Sequence, residues 1–262
     1  FKENKNSSDY FLGGRSIGWF PLSLSTMATQ LSAISFISAP AFVGLKEGGG
    51  LQWLTYELAV PLAMAFLLVM IIPTLYKSGI ISVYEFLEKR FDASSRLLIA
   101  FVFQISRSVA TGVMVYTMAL ILQATTGIEF WISVILIGII TMIYSFQGGM
   151  KAVIWGDVIQ MCILFFGIVI CLGYGLSELG GVSNFLTEVD SDRLVAIDFT
   201  KWGFNNADGN DEFGFWPMII GGFFLYASYY GTDQTQSQRL LSSKDMPTIK
   251  RLLLANGIFR FP

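Results

Sequence analysis

Long uncharged runs alternate with short clusters of Lys, Arg, Asp and Glu along this chain. A hydrocarbon layer of ~30 Å takes about 20 apolar residues as helix, and six runs meet or approach that length. Five lie near 16–45, 51–76, 97–126, 128–147 and 152–177, and the sixth runs from Phe213 to Thr232. The first and sixth carry no charge, the second holds only Glu57, the third only Arg107 and the fifth only Asp157. Between the second and third, VYEFLEKR (83–90) has the amphipathic make-up of a short helix lying in the membrane interface. The pattern predicts an all-α polytopic membrane protein of about six transmembrane helices.

Composition narrows the function classes. Of the 262 residues, 53% are apolar and 14% charged, against roughly 25% charge in a soluble domain. Seventeen basic residues against 19 acidic ones give a net charge of -2, so a nucleic-acid partner is not expected. With no histidine, the chain lacks Ser-His-Asp and Cys-His catalysis and the usual zinc sites, and an enzyme is not expected. Gly14-Arg15-Ser16-Ile17-Gly18 matches a nucleophile elbow by chance, having no strand before it and no histidine base. Cys162 and Cys171 fall on opposite faces of one helix, cannot bridge each other and read as buried membrane thiols.

Basic residues set the orientation. With the N-terminus inside, only Lys46, Arg193 and Lys201 fall outside, and Arg107 lies within a span. The remaining cations are all cytoplasmic, as the positive-inside rule requires. Residues 179–212 then form an acidic extracellular loop, and both the N-terminus and 240–262 are cytoplasmic. The chain opens at Phe1 and stops at Pro262 in a helix-like stretch, so it reads as a truncated piece of a longer protein of the plasma or bacterial inner membrane.

Two spans are unlike lipid-wrapped helices. Residues 23–38 read SLSTMATQLSAISFIS, with Gln30 in the middle and Pro40 soon after. So many hydroxyls offer the backbone alternative hydrogen bonds. Either the helix unwinds there and exposes carbonyls to a hard monovalent cation, or it uses small hydroxyls for close packing. In the sixth span, Gly221-Gly222 is followed by Tyr226, Ser228, Tyr229 and Tyr230, a gate or binding wall if not an interfacial belt. Irregular first and sixth spans are the pointer to inverted-repeat transporters. Asp157, deep in its span, is by default a cation site, with an ion pair as the alternative. Glu57 and Arg107 are weaker candidates for contact with a solute, Arg107 also for neutralising a carboxylate.

Five blocks resemble the sodium/solute symporter family: DYFLGGRSIGW (9–19), MATQLSAISF (27–36), VYEFLEKRF (83–91), GGMKAVIWGDVIQ (148–160) and TDQTQSQRLLSSKD (232–245). The resemblance covers nearly the whole chain, in family order. It implies a LeuT-like inverted-repeat bundle with broken first and sixth helices, the first repeat spanning 1–178 and the second beginning at 213–262. It further implies sodium as coupling ion, with no organic cofactor. Sodium would sit at the carbonyls of Ala28 and Leu31, with Asp157 in a second site or in coupling. The resemblance turns Gln30, Ser32, Ser35, Glu57 and Tyr226 toward the solute and makes Tyr229 the inner gate. The expected activity is sodium-coupled symport of a small polar solute (sugar, sialic acid, carboxylate or vitamin-like) across the lipid bilayer, with no obligate protein partner named. The other reading is a solute-sensing domain of a histidine-kinase-type receptor on the same fold.

Overall fold

The computed structural model describes residues 7–31, 33–203 and 214–259. The elements are α1 (Ser7–Leu12), α2 (Trp19–Ala28), α3 (Ala33–Gly44), α4 (Leu51–Lys77), α5 (Val83–Arg90), α6 (Ala93–Thr126), α7 (Phe130–Glu178), α8 (Val182–Glu188), α9 (Phe215–Thr232), α10 (Gln234–Leu241) and α11 (Met246–Phe259). Among the described residues the only extended pairing is an isolated bridge between Ile17 and Ser243.

Local chemistry sets where these helices begin, bend and stop. Ser23, Thr26 and Thr29 each donate a hydroxyl to the carbonyl four residues back, at 2.6–2.7 Å. The helix then tightens, with Gln30 N–H bonded to Met27 O and Leu31 N–H to Ala28 O, and α2 ends. Helix α4 opens as a 3-10 stretch over Leu51–Leu58 and carries a π turn at Leu67–Ile71. Pro61 and Pro73 explain both irregularities, because each lacks an N–H and crowds the carbonyl four residues earlier. Asp92 caps α6 by accepting Ser95 N–H at 2.7 Å, and Gly127, left-handed at φ 75°, terminates it.

The expected spans at 128–147 and 152–177 are the two arms of α7, broken at Gly149 (φ 56°, ψ -158°). Only glycine adopts that backbone readily. A Cβ there would also stand 2.8 Å from the carbonyl oxygen of Tyr10. A second irregular joint lies between α1 and α2, where Gly13, Gly14 and Arg15 are successively left-handed at φ 60°, 65° and 50°. This joint brings the chain start against distant segments. Tyr10 donates to Phe146 O at 3.2 Å, Arg15 to Ile80 O at 3.0 Å, and Gln238 to Phe11 O at 2.7 Å.

Among the described residues, three helices are long and apolar enough to cross a membrane: Leu51–Lys77, Ala93–Thr126 and Gly148–Glu178, with Phe130–Ile143 a shorter apolar segment. The first expected span is instead two short helices, α2 and α3. The sixth runs unbroken through Gly221-Gly222 as α9, and its break falls at Asp233 (φ -70°, ψ 125°), whose carboxylate caps α10 at Thr235 N–H, 2.8 Å. Gly222 serves close packing instead: a Cβ there would come within 2.6 Å of Tyr56 O on α4.

The core joins α2, α4, α7, α9, α10 and α11 through Leu22, Met64, Leu67, Ile154, Tyr230, Leu240 and Leu253, none more than 1% exposed. By contrast, α6 and the second arm of α7 present exposed Leu, Ile, Val and Phe along their length, such as Phe101, Val109, Ile163 and Phe166. Such a surface is stable against lipid and not against water. Cys162 and Cys171 are free thiols, each exposed on α7, not buried as the sequence suggested.

Candidate functional site: the cavity beside the broken first span

The unwound residues between α2 and α3 open on a cavity of about 650 Å³. Of the residues expected at the site, Gln30, Leu31, Ser35 and Glu57 line it, together with Ser38, Phe42, Trp53, Tyr56 and Met161. Ser32 lies outside the described residues. Ala28, Asp157, Tyr226 and Tyr229 do not line it, but Ala28 and Tyr226 bond to residues that do. Among the described residues no Lys or Arg lines the cavity.

Each wall is set by a different element. Glu57 is 7% exposed on the 3-10 part of α4, and Tyr226 of α9 donates its hydroxyl to Glu57 Oε1 at 2.8 Å. The Tyr226 ring stacks on Tyr56 with centroids 5.8 Å apart and planes 9° apart. Tyr229, one turn on, reaches the Thr29 carbonyl at 3.5 Å, so α9 contacts both the α4 wall and the unwound stretch. The Ala28 carbonyl accepts Leu31 N–H at 3.1 Å. A carbonyl oxygen has two lone pairs, so this bond leaves one for a cation.

Asp157 lies one turn from Met161 on α7 and is occupied by a partner that sequence reasoning missed. Arg239 of α10 donates from Nη2 to Asp157 Oδ2 at 2.7 Å, from Nε to Ser25 Oγ at 2.8 Å and from Nη1 to Thr235 O at 2.7 Å. Ser25 in turn donates to Asp157 Oδ2, closing a triangle between α2, α7 and α10. Arg239 is 7% exposed. The sequence counts it among cytoplasmic loop cations, and the available signal was the run TQSQR, a polar helix directly after a break in an apolar chain. Its neighbours Gln236 and Ser237 are buried too, Gln236 donating to Thr26 O at 3.3 Å. Arg107, expected as a possible neutralising cation, is partly exposed on α6 and does not pair with Asp157. Among the described residues no cluster of His, Cys, Asp and Glu is placed to hold a transition metal or other multivalent ion.

Comparison with known proteins places this arrangement. The family model of the sodium:solute symporter family matches residues 10–259. The human (Homo sapiens) sodium/iodide cotransporter is 32% identical over 258 residues, covering 98% of this chain and 39% of that protein. The human sodium-coupled monocarboxylate transporter 1 is 34% identical over 255 residues, 96% of this chain and 40% of that protein. A solved structure of a Na+-coupled sialic acid symporter, in a substrate-bound outward-open state, superposes with a TM-score of 0.83 at 28% identity. It covers 98% of this chain and 52% of that one. The chain thus spans about two fifths of the length of the curated relatives it matches.

Proposed function

Since the chain belongs to the sodium:solute symporter family, we propose that it forms the first-repeat half of a sodium-coupled symporter for a small polar organic solute. The observation that carries this reading is the unwound stretch between α2 and α3, which opens onto the cavity. Sodium held by the Ala28 and Leu31 carbonyls would fix that stretch, and Gln30, Ser35 and Glu57 would contact the solute above it. The remaining sodium ligands would come from helices beyond residue 262. On this reading the N-terminus and 240–262 would be cytoplasmic, which the distribution of basic residues supports.

The cavity chemistry favours an uncharged, hydroxylated solute over an anion. Gln30, Ser35, Ser38 and Glu57 offer donors and acceptors, and aromatic rings of Phe42, Trp53 and Tyr56 offer apolar faces. A carboxylate solute would meet the Glu57 carboxylate with no Lys or Arg among the described lining residues to offset it.

Below the cavity, the Asp157–Arg239–Ser25 triangle and the Tyr229–Thr29 contact hold α10 and α9 against α2. They supply the closed inner side of an alternating-access cycle, in which ligands shift the balance between two states by binding one better than the other. The test is uptake of labelled hexoses, polyols, short carboxylates, sialic acid and proline into proteoliposomes holding the full-length protein. Accumulation under an inward sodium gradient, absent with potassium, supports symport. Absence of any sodium effect on uptake or on thermal stability overturns it.

A further inference from the structure

The cavity has two walls that leave the membrane core separately, and a short external segment bridges them. The 3-10 turn Ser191–Leu194 carries Arg193, whose Nη1 donates to Val43 O at 2.8 Å and to Lys46 O at 3.1 Å, at the end of α3. Three residues on, Ala196 O accepts the Thr55 hydroxyl of α4 at 2.8 Å. Gly50, which leads into α4, packs on the same turn so closely that a Cβ would stand 3.0 Å from the Arg193 Cα. Residues 191–196 therefore form a strap across the rim, holding the outer end of α3 with one side chain and the start of α4 with another contact.

The strap matters because α3 is short and interrupted. This helix has 12 residues, contains Pro40, and is cut off from α2 by the unwound stretch. Its main packing partner is α6, a helix whose apolar window is 0% buried inside the protein. At its end, Leu45 and Lys46 N–H both bond to Ala41 O, and the Val43 carbonyl is one of the terminal acceptors that a helix leaves unpaired. A guanidinium there satisfies that acceptor and meets the negative end of the helix dipole.

We infer that Arg193 is a positioning residue for the cavity: it fixes how far α3, carrying Ser35, Ser38 and Phe42, stands from α4, carrying Trp53 and Glu57. Its importance for transport rests on the symport reading above, whereas its test requires no solute. The full-length protein is purified with Cys162 and Cys171 replaced by Ala, and one reporter, Ser35→Cys, half-buried in the cavity wall, is labelled with a maleimide in detergent. Arg193→Gln should speed labelling roughly fivefold, the factor expected from losing one net hydrogen bond. Arg193→Lys should restore most of the original rate. A second reporter, Ser177→Cys, exposed at the far end of α7, should be unaffected. An unchanged rate at Ser35→Cys overturns the inference, as does an equal rise at both reporters, which would mean general loosening. Failure of uptake in the proteoliposome experiment leaves this labelling result readable.

Discussion

Arg239 and Asp157, 82 residues apart in sequence, meet at 2.7 Å with side chains only 8% and 15% exposed. Each is the other's compensation in a site that neither would tolerate alone. Removing one partner of a buried pair leaves an uncompensated charge and costs roughly 3–5 kcal/mol. Asp157→Ala and Arg239→Ala should each lower the melting temperature strongly, while the double variant should be less destabilised than the sum. Additive losses would show that the pair carries no coupling.

If Asp157 also serves sodium, as its depth suggests, the same variants have a second readout. Asp157→Asn should weaken the sodium dependence of thermal stabilisation more than it changes solute affinity in the full-length protein. Equal sodium titrations for the wild type and this variant would restrict Asp157 to its ion pair.

The Tyr226–Glu57 bond predicts a paired effect at the α9–α4 wall. Tyr226→Phe keeps the ring stacked on Tyr56 but removes the donor to a buried carboxylate, at a cost of about 1–3 kcal/mol. Glu57→Gln should alter solute affinity, since Glu57 lines the cavity. Solute titrations that leave both variants at wild-type affinity would remove this wall from the binding site.

Adjacent glycines in α9 should behave in opposite ways. At Gly221 a Cβ meets nothing within 4 Å, so Gly221→Ala should be neutral or stabilise by up to about 1 kcal/mol through helix propensity. At Gly222 it would collide with Tyr56 O at 2.6 Å and Ala59 Cβ at 3.1 Å. Gly222→Ala should therefore cost about 1–3 kcal/mol by overpacking. Melting curves of the two single variants decide the matter, and similar curves would contradict the packing described for α9.

A pH effect is expected at α5, outside the spans. The Ile81 N–H donates to the Glu85 carboxylate, which with the smaller attraction of Lys89 and Arg96 holds its pKa below the ordinary value of 4.5 against some burial. The lowered folded value means the stabilisation is present above the ordinary carboxylate pKa and is lost as pH falls through the lower folded one. Protection of the amides at the start of α5, taken against the intrinsic exchange rate at each pH, should fall in that acidic window, and Glu85→Gln should flatten the response.

Local chemistry was legible where one segment carried its own cause. The hydroxyl run from Ser23 to Ser35 marks the place where α2 stops and α3 begins, and VYEFLEKR occupies the same residues as α5. Asp157 stood out by depth alone, and both an ion site and an ion pair were in view. Arg239 was not legible as its partner, because no local pattern links residues 82 apart on separate helices. The glycine pair misplaced the break in α9 because a glycine can serve either a bend or a close approach, and only the neighbouring α4 tells which. The polar run of α10 conceals buried side chains for a similar reason: Gln236, Ser237 and Arg239 find partners on α2, α7 and the turn before them. Arg193 had looked like an ordinary loop cation.

The joint at Gly13-Gly14-Arg15 also bears on the order in which the protein is made. The segment beside it is made well before its partners: Phe11 waits for Gln238, 227 residues later, and Tyr10 for Phe146, 136 residues later. At about 5–20 residues per second, the longer interval is roughly 10–45 s. Through that time Phe11 lacks this partner, and the contact cannot form before α10 has been made. Damage at this joint would thus show itself in that contact only once α10 has been made.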